Sequence, residues 1–68
     1  MELKDSLRQL REREKLNQRQ IAEILGISRS TYTYYETGKA NPRLSVLLFL
    51  CKIYNVSLDT LVGYDREL

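Results

Sequence analysis

The sequence predicts an all-α domain of five short helices, and three observations carry that prediction. Apolar residues recur at helical spacing, as at Leu3, Leu7 and Leu10. No stretch alternates apolar and polar residues as a half-buried strand would, and no internal repeat is visible. The punctuation is that of helix ends: Asn17, Ser28 and Ser57 stand where helices start, and Gly26, Gly38 and Gly63 where they stop.

Taken in order, the first helix is expected from Leu3 to Lys15, with one narrow apolar stripe of Leu3, Leu7 and Leu10. Acidic and basic residues share its outer face, Arg8 with Glu12 for example, which reads as a solvated, weakly paired surface. Leu16 should turn inward. Asn17 is a helix N-cap, and Gln20 is placed to return a hydrogen bond to the cap's backbone N–H. A second helix, Gln18 to Leu25, should bury Ile21, Ala22, Ile24 and Leu25. Gly26 can take the left-handed conformation that closes it.

Ser28 caps a third helix, expected from about Arg29 to Glu36, with Tyr32 and Tyr35 at i and i+3 facing inward. Thr37-Gly38-Lys39-Ala40-Asn41-Pro42 is dense in turn formers and should be a loop. Leu44, Leu47, Leu48, Cys51 and Tyr54 mark a fourth helix, Leu44 to Tyr54, apolar enough to be placed centrally in the core. Asn55 should be left-handed, and Ser57 should cap a last helix, Leu58 to Val62, ended by Gly63. Residues 1–68 form one expected domain with a short tail from about 63.

A chain of 68 residues lies near the lower limit for an independent core. Such a core supplies roughly 3–5 kcal/mol, so a staple or a second subunit is expected. Cys51 is the single cysteine and there is no His, which excludes a disulfide, a His/Cys zinc site and Ser–His or Cys–His catalysis. Neither an enzyme nor a cofactor is expected, and Cys51 reads as a buried, inert thiol. The start, Met-Glu-Leu-Lys, lacks the apolar core of a signal peptide, and the longest apolar run, Val46 to Cys51, is too short for a membrane span. A cytoplasmic setting is therefore expected. The net charge of +2 says little alone, but Asp59, Asp65 and Glu67 against Arg66 leave the positive surplus upstream.

The chemistry gathers around Gly26. Two helices joined so tightly must cross closely, and Ala22 supplies the small residue that close crossing needs. With Tyr32 and Tyr35 turned inward, the third helix leaves Ser28, Arg29, Ser30, Thr33 and Tyr34 outside. Arg pairs bidentately with guanine, Ser and Thr reach base edges or phosphates, and short side chains let a helix backbone approach the bases. That edge suits the major groove of double-stranded DNA. Capping is the commoner use of serine; it is the spacing around Ala22 and Gly26 that favours the groove. Phosphate contacts are expected from Gln18 and Arg19 at the positive start of the second helix, and from Lys39, Asn41 and Arg43 in the following loop. Each of these alone reads equally well as a solvated residue.

From Leu7 to about Leu61 the chain resembles the lambda-repressor-like, Cro/Xre-type helix-turn-helix family. The resemblance rests on LRQLRE at 7–12, LNQRQIAEILGIS at 16–28, STYTYYETGKANP at 30–42 and YNVSLDTLV at 54–62. It implies a compact five-helix domain, helices 2 and 3 forming the helix-turn-helix, that binds operator DNA as a symmetric dimer and represses transcription. It also implies Gln18 on a phosphate, Arg29, Ser30 and Thr33 as main base readers, Ser28 and Tyr34 bordering the groove, and an ion pair between Arg11 and Glu36. Three residues depart from the family pattern. Lys15 stands where Gly is frequent, Tyr32 replaces an aliphatic residue and must find a partner for its hydroxyl, and Tyr34 replaces a polar or basic one.

Leu61, Val62, Tyr64 and Leu68, with Phe49 and Tyr54, exceed what a small monomer is expected to cover. They either complete the core or form a homodimer contact across a two-fold axis. A protein-binding adaptor and an antitoxin are the alternative uses of such a scaffold. No small-molecule ligand is evident.

Overall fold

The computed structural model describes residues 2–63, and these form five α-helices. They are α1 (Leu3–Arg13), α2 (Gln18–Leu25), α3 (Arg29–Thr37), α4 (Leu44–Tyr54) and α5 (Leu58–Val62). The all-α architecture is the one that the sequence predicts. Asn17, Ser28 and Ser57 each accept a hydrogen bond from the backbone N–H three residues on, and Gly26, Gly38, Asn55 and Gly63 are left-handed.

α3 packs against both α1 and α2, while α5 bridges α1 and α4. Leu7, Ile21, Ala22, Tyr32, Leu50, Tyr54 and Leu61 form the buried centre. Leu16 and Tyr35 are half-buried against it, as is Cys51, where burial pushes the thiol's pKa up. None of the described helices is long and apolar enough to cross a membrane.

Four expectations are corrected. α1 ends at Arg13, not Lys15; Glu14 is its cap, and Lys15 takes φ 59°, the left-handed conformation that a glycine would adopt more cheaply. Ile24 is 45% exposed. At about 100° per residue it falls away from the face shared by Ile21, Ala22 and Leu25. Of the residues that mark α4, Tyr54 is buried and Leu47 and Cys51 are half-buried, but Leu44 and Leu48 are exposed along with Phe49, and it is Leu50 that joins Tyr54 in the core. Finally, Leu61 and Tyr54 are core residues with no surface left for a second subunit. Of the other residues expected at a dimer contact, Phe49 is exposed and Val62 half-buried; Tyr64 and Leu68 lie outside the described residues.

Candidate nucleic-acid interface

The site is built on two capped helix starts joined through Gly26. A reciprocal pair opens α2: Gln20 N–H donates to Asn17 Oδ1 and Asn17 N–H to Gln20 Oε1, both at 2.8 Å. The chain then reverses at Gly26, φ 72°, where Gly26 N–H donates to the Glu23 carbonyl and Ile27 N–H to that of Ala22. A Cβ at Gly26 would meet nothing within 4 Å, so it is the positive φ that calls for glycine there. At the start of α3 the Ser28 hydroxyl accepts from Thr31 N–H at 3.1 Å and donates to Thr31 Oγ1 at 2.9 Å. Its oxygen therefore caps the helix while its proton is engaged by the Thr31 hydroxyl.

Glu36, near the end of α3, fastens that helix to α1 and α2. Its carboxylate receives Arg11 Nε at 2.6 Å and Nη2 at 3.1 Å, the Tyr32 hydroxyl at 2.5 Å and Gln18 Nε2 at 3.1 Å. Arg11 also donates from Nη1 to the Leu16 carbonyl at 2.9 Å. The Glu36 and Arg11 side chains are 4% and 12% exposed, so this is a buried, bidentate ion pair. Burial opposes the charged form of Glu36, but the hydrogen bonds from Arg11, Tyr32 and Gln18 outweigh it and hold the carboxyl below its ordinary pKa. Burial, then the bond to Glu36, raises the pKa of Tyr32. Its hydroxyl has thus found the acceptor that a buried tyrosine needs. Burial also pushes Tyr54 up to about 12. No group among the described residues makes a well-formed hydrogen bond to its hydroxyl, although that of Tyr32 is near enough to affect its ionisation.

Outward from this hub lies the surface of α3. Gln18, Arg29, Ser30, Thr33 and Tyr34 line one open depression, and Asn17, Gln18, Arg19 and Arg29 line the next. Because Gln18 and Arg29 belong to both, four of the expected base readers (Arg29, Ser30, Thr33 and Tyr34) and one group of expected phosphate contacts form a continuous strip; Ser28 lines neither depression. Thr33 is half-buried, and its hydroxyl donates to Gln18 Oε1 at 2.9 Å. Lys39 Nζ lies 5.7 Å from the Tyr34 ring centre, in cation–π range, which extends the strip with a cation. Asn41 and Arg43 are exposed and line neither of these two depressions.

Sequence reasoning placed Asn17 only as a cap, and it also lines the strip. The sequence calls for a partner for the Tyr32 hydroxyl without naming it; the cue is Glu36, four residues on along the same helix. Two further depressions follow α1, one lined by Asp5, Arg8, Gln9 and Glu12 and one by Ser6, Gln9, Leu10, Arg13 and Thr60. Neither shares a residue with the strip.

Known proteins place this geometry. A helix-turn-helix family model matches residues 7–61. The chain is 44% identical over 61 residues to the uncharacterized HTH-type transcriptional regulator YobD of Bacillus subtilis, covering 90% of this chain and 54% of that one. It is 38% identical over 61 residues to the cryptic phage CTXphi transcriptional repressor RstR of Vibrio cholerae, with the same two coverages. The crystal structure of a transcriptional regulator from Listeria innocua superposes with a TM-score of 0.91 at 33% identity, over 98% of this chain and 63% of that one. The chain thus spans about half the length of these curated relatives. With its capped helices meeting at Gly26 and the family match running from α1 to α5, the chain belongs to the Cro/C1-type helix-turn-helix family of transcriptional regulators.

Proposed function

We propose that the protein is a sequence-specific DNA-binding regulator that lays α3 in the major groove of an operator and represses transcription. The observation that carries this reading is the strip in which Gln18, Arg29, Ser30, Thr33 and Tyr34 share one depression. Arg29, Ser30 and Thr33 read base edges, with Ser28 and Tyr34 at the margin. Gln18, Arg19 and Lys39 hold phosphates along the strip, and Asn41 and Arg43 do so from the loop. Two copies bind a palindrome with their α3 helices about 34 Å apart. Phe49 and Val62 are the described members of the expected contact that have surface to give.

Repression takes its support from the name of RstR; another relative, from Enterococcus faecalis, is named a transcriptional activator, and one from Streptococcus pneumoniae an antitoxin. An operator-linked reporter separates the first two. Selection of bound sites from random duplex DNA tests the reading itself. A palindromic motif is expected, with Arg29→Ala costing about 1–3 kcal/mol and relaxing one base pair. Lys39→Ala should weaken all sequences alike and flatten the salt dependence. Recovery of no motif, with both variants binding DNA as the parent does, would leave the adaptor or antitoxin reading in its place.

A further inference from the structure

The hydrogen bonds that leave Glu36 have a direction, and that direction reaches the proposed groove. An ionised carboxylate only accepts, and Glu36 already receives Arg11 and Tyr32. The Gln18 amide must therefore turn Nε2 toward Glu36, since its oxygen there would face another oxygen with no proton between them. Its Oε1 is then fixed toward Thr33. An amide oxygen cannot donate, so the bond at 2.9 Å consumes the single hydroxyl proton of Thr33. What Thr33 has left to offer the depression it shares with Arg29 and Ser30 is lone pairs.

We propose that Glu36 and Gln18 act as positioning residues that make Thr33 an obligate hydrogen-bond acceptor, so that Thr33 selects an exocyclic amino group in the major groove, on adenine or cytosine. The inference rests on the reading of α3 as the groove helix. Every base pair carries one such amino group, on adenine or cytosine, and acceptors on its partner (thymine O4, or guanine O6 and N7). An acceptor-only Thr33 therefore decides the orientation of a base pair: which strand carries the amino base. A threonine free to rotate its hydroxyl could satisfy either strand. The second Nε2 proton of Gln18 is not needed by Glu36 and suits a phosphate oxygen, so one amide both sets the polarity of Thr33 and grips the backbone.

The test starts from the duplex enriched by site selection, in full-chain protein. Thr33→Val should erase the preference at one base pair, and Thr33→Ser should keep it. At that position, purine in place of adenine, or pyrimidin-2-one in place of cytosine, removes the amino group. Binding by the parent should then fall roughly 3–10-fold, the range of one neutral hydrogen bond, while binding by Thr33→Val stays unchanged. Gln18→Leu returns the proton to Thr33 and should admit the reversed base pair, a change of preference that general loosening of the fold would not produce. The analogue series on the parent protein decides the matter even where Gln18→Leu folds poorly. An effect of removing an acceptor at that base pair (7-deazaguanine opposite cytosine, or 7-deazaadenine in place of adenine), with none from amino-group removal, would show Thr33 donating and overturn the inference while leaving DNA binding intact. So would an unchanged motif in Thr33→Val. Selection of no motif by the parent would instead overturn the groove reading beneath it.

Discussion

α3 and α4 invert what their compositions suggest. α3 is polar, yet Tyr32 at its centre is fully buried and Glu36 near its end is 4% exposed in its side chain. α4 is almost wholly apolar, yet Leu44, Leu48 and Phe49 stand in solvent. The difference lies in what each helix must do. α3 has to be held at a fixed angle while keeping its outer edge free, and a polar hub can do this from behind: Arg11 on α1 and Gln18 on α2 converge on one carboxylate. α4 contributes one face, centred on Leu50 and Tyr54, to a core too small to cover a second.

The sharpest way to break this contrast is to remove the hub. Glu36→Ala leaves a buried guanidinium, a buried hydroxyl and an amide proton without their acceptor, and should cost about 3–5 kcal/mol in urea unfolding. For a domain of this size that is most of its stability. Leu50→Ala, in the apolar half, should cost about 2–5 kcal/mol by opening a cavity. If Glu36→Ala proved nearly neutral, α3 would be held by apolar packing alone and the contrast would dissolve.

Titration sharpens the same point. The folded carboxyl of Glu36 has a lowered pKa, so its contribution is present above the unfolded value of about 4.3 and is lost as pH falls through the lower folded value. Urea midpoints should decline on that acid limb, and Glu36→Gln should flatten the decline. The smallest effect belongs to the exposed face: Leu48→Ser should change unfolding by about 1 kcal/mol or less. Paired with Phe49→Ser, it should leave monomer stability near that of the parent, and sedimentation will show whether either residue joins two copies.

Much of this was legible because helix ends have local causes. Asn17 with Gln20 and Gly26 put the bounds of α2, and Ser57 with Gly63 those of α5, where the structure has them; Ser28 and Gly38 place α3 to within a residue, and Asn55 ends α4. The end of α1 is not legible because Lys15 performs a glycine's turn, and side-chain identity does not announce a strained φ. The inward face of α4 is only partly legible for another reason: with apolar residues on nearly every side, the spacing Leu44, Leu47, Leu48, Cys51 and Tyr54 competes with the stripe that includes Leu50, which is the buried one. In the candidate site, the residues on the outer edge of α3 could be named from their spacing. The Arg11–Glu36 pair came through family resemblance, and the donor–acceptor direction through Gln18 to Thr33 came only from geometry.

In the proposed function α3 reads DNA and the exposed face of α4 takes no part. Amide chemical-shift mapping with the duplex enriched by selection addresses it directly. Shifts should concentrate at Gln18, Arg29, Ser30, Thr33 and Tyr34, with Leu44 and Leu48 still. Shifts centred on Leu44, Leu48 and Phe49 while α3 stays unmoved would contradict it.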